Sequence, residues 1–297
     1  MLLDAYHDFM DPSTEPLGNI FSTNANSNAG LTSRSEFSSS YYDGELKRYR
    51  DGHPELTDAS PAVFKNVDFY RGATAHPTYG SFIDDFHDVE KYRGNAAATT
   101  VTSTWFGNYH RLEAEHSFIQ HLFPIQEGAG LSSSSQRLQK HEIEIMKSDS
   151  AIRERLLRSV ETMLDFYGIE LDRTQADYPY LSRNLDNFVD QFANLNTFSH
   201  NYLRITRMCK CLGDLGLEVL QQSIVNFFIV ECYEWWDDGV EGSDSSSTST
   251  CYLKNLRSSL ETHWVATIRD DEVRENFKQR IAESKSKMAS APSGVVA

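Results

Sequence analysis

Apolar residues recur with a helical period through the middle and C-terminal parts of the chain. From Ser150, a candidate N-cap, Ile152, Leu156, Val160, Met163, Leu164 and Tyr167 fall on one face of a helix that Gly168 ends. A second helix is predicted from Ser182, with Leu185, Phe188, Val189 and Phe192 at i, i+3, i+4 and i+7. A third is predicted from about Ser199 to Leu212, stopping at the Gly213–Gly216 pair, and a fourth carries Leu217, Leu220, Ile224, Phe227 and Phe228. Tyr252, Leu256, Leu260, Trp264 and Ile268 recur every four residues, and Asp270 is placed to cap a last amphipathic helix through Val273, Phe277 and Ile281. No segment alternates for long with period two, and hairpin dipeptides are missing between apolar runs. The expected fold class is all-α, a single multi-helix domain around an aromatic-rich core, with a disordered N-terminal segment.

The polar stretches divide the chain. Residues 1–58 are rich in Ser, Asn, Asp and Gly without an apolar period, and are expected to be disordered. Residues 94–104 and 128–136 read as loops, and 237–250 as an acidic, Ser-rich loop. The conserved-type helical domain is thus placed at 59–236. A C-terminal helical pair over 251–285 is expected to pack on it, ahead of a tail at 286–297.

Charge and cysteine usage narrow the function classes. Lys and Arg number 28 against 43 Asp and Glu, a formal charge of −15, which disfavours general nucleic-acid or anionic-membrane binding. Cys209, Cys211, Cys232 and Cys251 form no CxxC pair and read as buried thiols of a reducing compartment. The N-terminus lacks the basic flank and apolar run of a signal peptide. The most apolar stretch, Ser223 to Val230, is too short to span a membrane and is flanked by Glu218 and Glu231. The expectation is an intracellular protein with no transmembrane helix and no clear nuclear-import signal, cytoplasmic with the nucleus left open.

Recognisable catalytic or metal motifs are missing. His141-Glu142-Ile143-Glu144-Ile145 starts like HExxH but lacks the second His. His110, Glu113 and His116, if helical, span about 120° rather than one face, and His116 and His121, five apart, fare no better; a site completed from a distance by His87 or Asp88 is disfavoured. The run at 128–130 lacks the Lys and Thr of a phosphate loop, and Gly213-Asp214-Leu215-Gly216 matches the KH-domain GXXG in letters only. No cofactor and no metal are expected. The suggestive stretch is Asn194 to Arg207, where Asn194, Asn196, His200 and Asn201 accompany Arg204, Arg207 and Lys210 at intervals of three. Such a basic stripe can hold a carboxylate or a peptide C-terminus through bidentate guanidinium bonds; equally, its cations can pair with acids of neighbouring helices. Trp235-Trp236 cannot both face inward, so one is a candidate partner contact unless both are absorbed by packing.

Several motifs in order carry a resemblance. They are Phe69-Tyr70-Arg71; Ile83-Asp84-Asp85; Tyr109 with Leu112-Glu113 and His116; Phe118-Ile119-Gln120-His121-Leu122-Phe123-Pro124; Met163-Leu164-Asp165-Phe166-Tyr167-Gly168-Ile169; Phe192-Ala193-Asn194-Leu195-Asn196; His200 through Arg207; and Leu212-Gly213-Asp214-Leu215-Gly216. Together, over roughly residues 64–236, they resemble the conserved domain of the opioid growth factor receptor family. His121 stands where the family motif has Trp, and the segment from Asp85 to Trp105 is longer than the family pattern. The basic import signals and C-terminal repeats of vertebrate members are missing from this sequence. The resemblance implies a receptor activity toward enkephalin-type peptides and negative control of cell growth. It makes a non-enzymatic peptide- or protein-binding module the leading expectation. A helical scaffold without a small ligand remains open, as does a hydrolase using Glu113, His116 and His200. The candidate binding residues are Arg71, Glu113, His116, Asn194, Asn196, His200, Asn201, Arg204 and Arg207, with Arg71, Glu113, His116 and the 194–207 segment expected to converge.

Overall fold

A computed structural model describes residues 43–58, 62–88, 105–127, 135–174, 179–234 and 253–290. Trp235, Trp236, Cys251, Tyr252 and the stretches 94–104 and 237–250 lie outside these residues, as does most of the 128–136 loop. The longest helices follow the apolar period. α6 (Ser150–Phe166) turns Ile152, Leu156, Val160, Met163 and Leu164 into the core. It is capped by Asp149, one residue before the predicted cap, whose carboxylate accepts from the amides of Ala151 (3.1 Å) and Ile152 (3.3 Å). α8 (His200–Asp214) is buried almost all round from Arg204 onward, and α9 (Glu218–Tyr233) packs beside it. α11 (Asp271–Ser290) starts at the predicted cap, Asp270, which accepts from Val273 N at 3.0 Å. It runs to Ser290, past the expected tail boundary at 286.

Around these lie shorter pieces: α1 (43–50), α2 (Lys65–Tyr70), α3 (Tyr109–Ala114), α4 (Ile119–Leu122), α5 (Lys140–Ser148) and α7 (Phe188–Thr197). Between α9 and α11, α10 (254–267) is one helical passage that includes a π turn at Leu260–Trp264. A strict spacing of four drifts about 40° per step on a helix of 3.6 residues per turn. The wider π turn offsets that drift, and Leu256, Leu260, Trp264 and Ile268 all stay fully buried.

Two expectations fail. The helix predicted from Ser182 begins only at Phe188, as α7; Ser182 itself lies in a strand, where β1 (Ile169–Asp172) and β2 (Tyr180–Arg183) pair antiparallel, Ile169 opposite Arg183 and Asp172 opposite Tyr180. Gly168, at φ +78°, makes the turn out of α6, where a Cβ would lie 2.8 Å from the backbone of Phe188. Arg183 then reaches the buried carboxylate of Glu231 on α9 at 2.8 and 3.0 Å, holding β2 against the core. Four-residue strands show too few alternations to be read as such. Second, the polar segment does not extend to residue 58. Leu46 and Tyr49, three apart on α1, are buried, and the Tyr49 hydroxyl donates to Lys210 O at 3.2 Å. Asp58 in turn caps α5, accepting from Lys140 N at 2.7 Å and His141 N at 3.2 Å.

The Tyr49 hydroxyl lies against Gly213, leaving no room for a Cβ there, and Gln221 Nε2 joins Tyr49 Oη (3.3 Å), Cys209 O (2.9 Å) and Thr267 O (3.1 Å). Gly213 is therefore a contact glycine inside α8, and Gly216, at φ +73°, makes the turn that follows. Gly213→Ala is expected to cost about 1–3 kcal/mol in urea unfolding. The loss should shrink in a Tyr49→Phe background, where the hydroxyl that the new methyl meets is gone.

Candidate functional site

α3 has six residues, so its last carbonyls find no partners within the helix. Arg204, on α8 and only 2% exposed, supplies them. Its Nη1 donates to Leu112 O at 2.7 Å, and its Nη2 to Glu115 O at 2.7 Å and Glu113 O at 3.4 Å. A cation placed there also complements the negative end of the helix. His116 lies beyond the end of α3, not on it, with Nδ1 3.2 Å from Arg204 Nη2. Burial, and then the charges of Arg204 and His200, bring His116 down to about 4.

Glu113 ties α3 to α7 and α8. Its Oε2 accepts from Asn194 Nδ2 at 2.7 Å and Asn201 Nδ2 at 3.1 Å, while His200 Nε2 lies 2.5 Å from Oε1. Burial pushes the carboxyl up, but the His200 ring and the two amides outweigh it and hold Glu113 down at about 2. The His116 and His200 rings stand edge to face, 5.1 Å apart. Among the described residues no Ser, Thr or Cys hydrogen-bonds to either ring, so no nucleophile–base pair forms there.

One turn earlier on α3, Tyr109 makes the matching brace at the other end of α7. Its hydroxyl donates to Asp165 Oδ2 (2.9 Å) and accepts from Asn187 Nδ2 (2.6 Å), and Asn184 Nδ2 donates to Asp165 Oδ1 at 3.0 Å. Burial drives Tyr109 up to about 12, with the charge of Asp165 adding to it. Asp165 is itself raised, by burial first and by the charge of Asp88, against the three donors that pull it back. Beside this brace a cleft of about 210 Å³ opens between α6, the hairpin and the turn before α7. It is lined by Asp88, Glu161, Asp165, Glu170 and Asp186 with Arg158, Thr162, Asn184, Phe106, Ile169 and Leu171. Among the described residues no three of His, Cys, Asp and Glu are arranged to hold a metal ion.

The nine residues expected to bind a ligand therefore separate. Glu113, His116, Asn194, His200, Asn201 and Arg204 converge. Arg71 does not join them: half-exposed, it pairs with Asp149 at 3.2 Å. Asn196 faces Asn255, whose Nδ2 donates to its carbonyl at 2.8 Å. Arg207 is buried and donates to Phe123 O at 2.7 Å. The expected basic stripe is thus no open clamp. Arg204 and Arg207 bind backbone carbonyls inside the domain, and Lys210 reaches Glu127 at 2.6 Å. His141 and Glu142 are structural too. His141 contacts Asp58 at 2.8 Å, and the fully buried Glu142 accepts from Asn66 N at 2.9 Å and Gln139 N at 3.1 Å, at the starts of α2 and α5. His87 rests on Ser159 at 3.0 Å, and Asp88 lines the cleft. The cleft was not anticipated, because Asn184 to Asn187 read as part of a helix. The signal available was an Asn-Leu-Asp-Asn run that could make side-chain turns.

The residues that brace α3 to α7 and α8 fall within a region that matches a known family. The opioid growth factor receptor (OGFr) conserved region matches residues 61–291, past the 236 at which the motif resemblance was placed. The chain belongs to the opioid growth factor receptor family. It is 38% identical over 188 residues to the opioid growth factor receptor of Mus musculus, covering 63% of this chain and 27% of that protein. The human receptor matches at 38% over the same length, with 25% of it covered. Opioid growth factor receptor-like protein 1 of Mus musculus matches at 31% over 228 residues, 76% of this chain and 41% of the relative. The chain thus spans well under half of these relatives. No solved structure matches. Among the described residues no helix is long and apolar enough to cross a membrane, and Cys209, Cys211 and Cys232 are buried free thiols.

Arg204→Met keeps most of the stem but strands the carbonyls of Leu112 and Glu115, and should cost about 3 kcal/mol in urea unfolding. The folded-state value of Glu113 lies below the ordinary 4.5, so its contribution is complete above pH 4.5 and is lost as pH falls toward 2. Glu113→Gln should flatten stability against pH across that window, as followed by unfolding at a series of pH values; an unaltered slope would assign the acid lability elsewhere.

Proposed function

We propose that the chain is a non-enzymatic binding module whose acidic cleft receives a cationic group of a peptide or protein partner. The carrying observation is the cleft itself: five carboxylates and one guanidinium line about 210 Å³ of open space, in a chain of formal charge −15. Such a site attracts a Lys, an Arg or a terminal ammonium and repels phosphates and carboxylates. The braces of Tyr109 and Glu113 support the reading by holding the walls still, which lowers the ordering cost of binding. Relatives carry the name receptor, and that name extends to this chain the expectation of an enkephalin-type peptide and a role in growth control. A peptide of that kind would present its N-terminal ammonium to the cleft. The Arg204 and Arg207 stripe, by contrast, serves the fold, so the peptide's carboxylate end is not the group recognised.

The test is calorimetric titration of the full chain with Met-enkephalin, its N-acetyl derivative and a scrambled pentapeptide. Saturable heat is expected for the free amine, with loss on acetylation and weakening by about tenfold in Glu170→Gln/Asp186→Asn. Equal affinity for the acetylated peptide, or for the double variant, would remove the cleft as the site. No heat at all would remove this peptide from the chain's ligands.

A further inference from the structure

The turn between the hairpin and α7 carries an apolar ridge into solvent. Leu185 is 82% and Val189 63% exposed, four residues apart, and Ala193 continues the row one turn further along α7. Phe192 and Leu195 on the adjoining part of the same helix are buried, so α7 carries a broad apolar face of which only one side is covered. Isolated surface aliphatics need no account. Here Val189 and Ala193 lie on one i, i+4 row of α7, the kind of ridge most often packed between helices in globular proteins, and Leu185 stands in the turn that leads into it. They also adjoin the cleft: Asn184 and Asp186, the neighbours of Leu185, line it. Asp186 and Asp190 flank the ridge.

We propose that this ridge and the acidic cleft form one docking surface for a basic amphipathic helix of a partner protein. The proposal rests on the cleft reading above and adds the partner's form. Apolar side chains at helical spacing cover Leu185 and Val189, while Lys or Arg from the same helix reaches the carboxylates of Glu170 and Asp186. Charge decides among occupants. A second copy of this chain would bring another net −15 to a surface already bounded by Asp186 and Asp190, and an anionic lipid face would be repelled for the same reason. A cationic helix gains on both counts, burying the ridge and neutralising its border.

The probe is a fluorescein-labelled Leu/Lys amphipathic peptide of roughly 18 residues, with a Leu/Glu peptide as control, followed by anisotropy against the full chain at two salt concentrations. Saturable binding of the Lys peptide alone is expected, weaker at high salt. Leu185→Ser/Val189→Ser should weaken it about tenfold, as should Glu170→Gln/Asp186→Asn; all four side chains stand at exposed positions, and melting curves matching the parent would confirm folding. If the ridge variant binds like the parent while the cleft variant weakens, the docking surface is refuted and the cleft reading stands. If the cleft variant binds like the parent, both fall. A parent chain that is dimeric, and that becomes monomeric on Leu185→Ser/Val189→Ser, would overturn the proposal by making the second copy the occupant.

Discussion

Arg204 is the interaction on which the packing of α3 against α8 depends. A six-residue helix such as α3 is too short to be stable by its own hydrogen bonds, and its terminal carbonyls would otherwise meet an apolar interior. A buried guanidinium with several donors in a fixed fork is suited to gathering carbonyls from Leu112, Glu113 and Glu115. Desolvating that charge is costly. The surrounding carbonyls, the amide oxygen of Asn201 at 3.3 Å, His116, and the Phe118 ring 5.4 Å from the guanidinium carbon together offset it. The neutral state of His116 belongs to the same arrangement, since a protonated ring would face the arginine directly.

A second buried polar assembly ties the start of the described chain to its end. Asp214, beside Gly213, accepts from Arg269 at 2.6 Å and Gln126 at 3.0 Å. The Arg269 guanidinium also covers the Tyr49 ring at 4.6 Å. Burial raises Asp214 and the Arg269 charge pulls it back, so removing either partner would leave an uncompensated group in the core. Residues 43–58 are thereby part of the folded unit rather than an appendage, and their polar composition reflects what they touch rather than an absence of structure.

The two polar regions differ from the cleft in one respect that separates scaffold from surface. Arg204 meets carbonyls and Asp214 meets Arg269 at hydrogen-bonding distance, and both charges are largely withdrawn from water. In the cleft, carboxylates outnumber the single guanidinium among the lining residues, and Glu170 and Asp186 stand exposed. An excess of one sign on open walls is not a device for holding a fold together. It is the field that the proposed partner would meet, with the exposed Leu185 and Val189 beside it.

The helix faces of α6, α8, α9 and α11, and the family, could be read from sequence alone. An apolar period repeated over several turns is a local signal whose burial depends little on which surface covers it, and a cap such as Asp270 acts within three residues. The motif Glu, Asn, His and Arg residues were also visible, but their purpose was not. The pairs that define it join positions such as Arg204 and Leu112, 92 residues apart, and a buried arginine capping a helix looks the same in sequence as an exposed one clamping a ligand. Short elements escaped for the complementary reason. Four-residue strands and the two apolar positions of α1 contain too few repeats to show a period, so only the neighbours that bury them reveal them. The cleft was decided by tertiary structure entirely, because it is the space left where α6, the hairpin and α7 fail to meet.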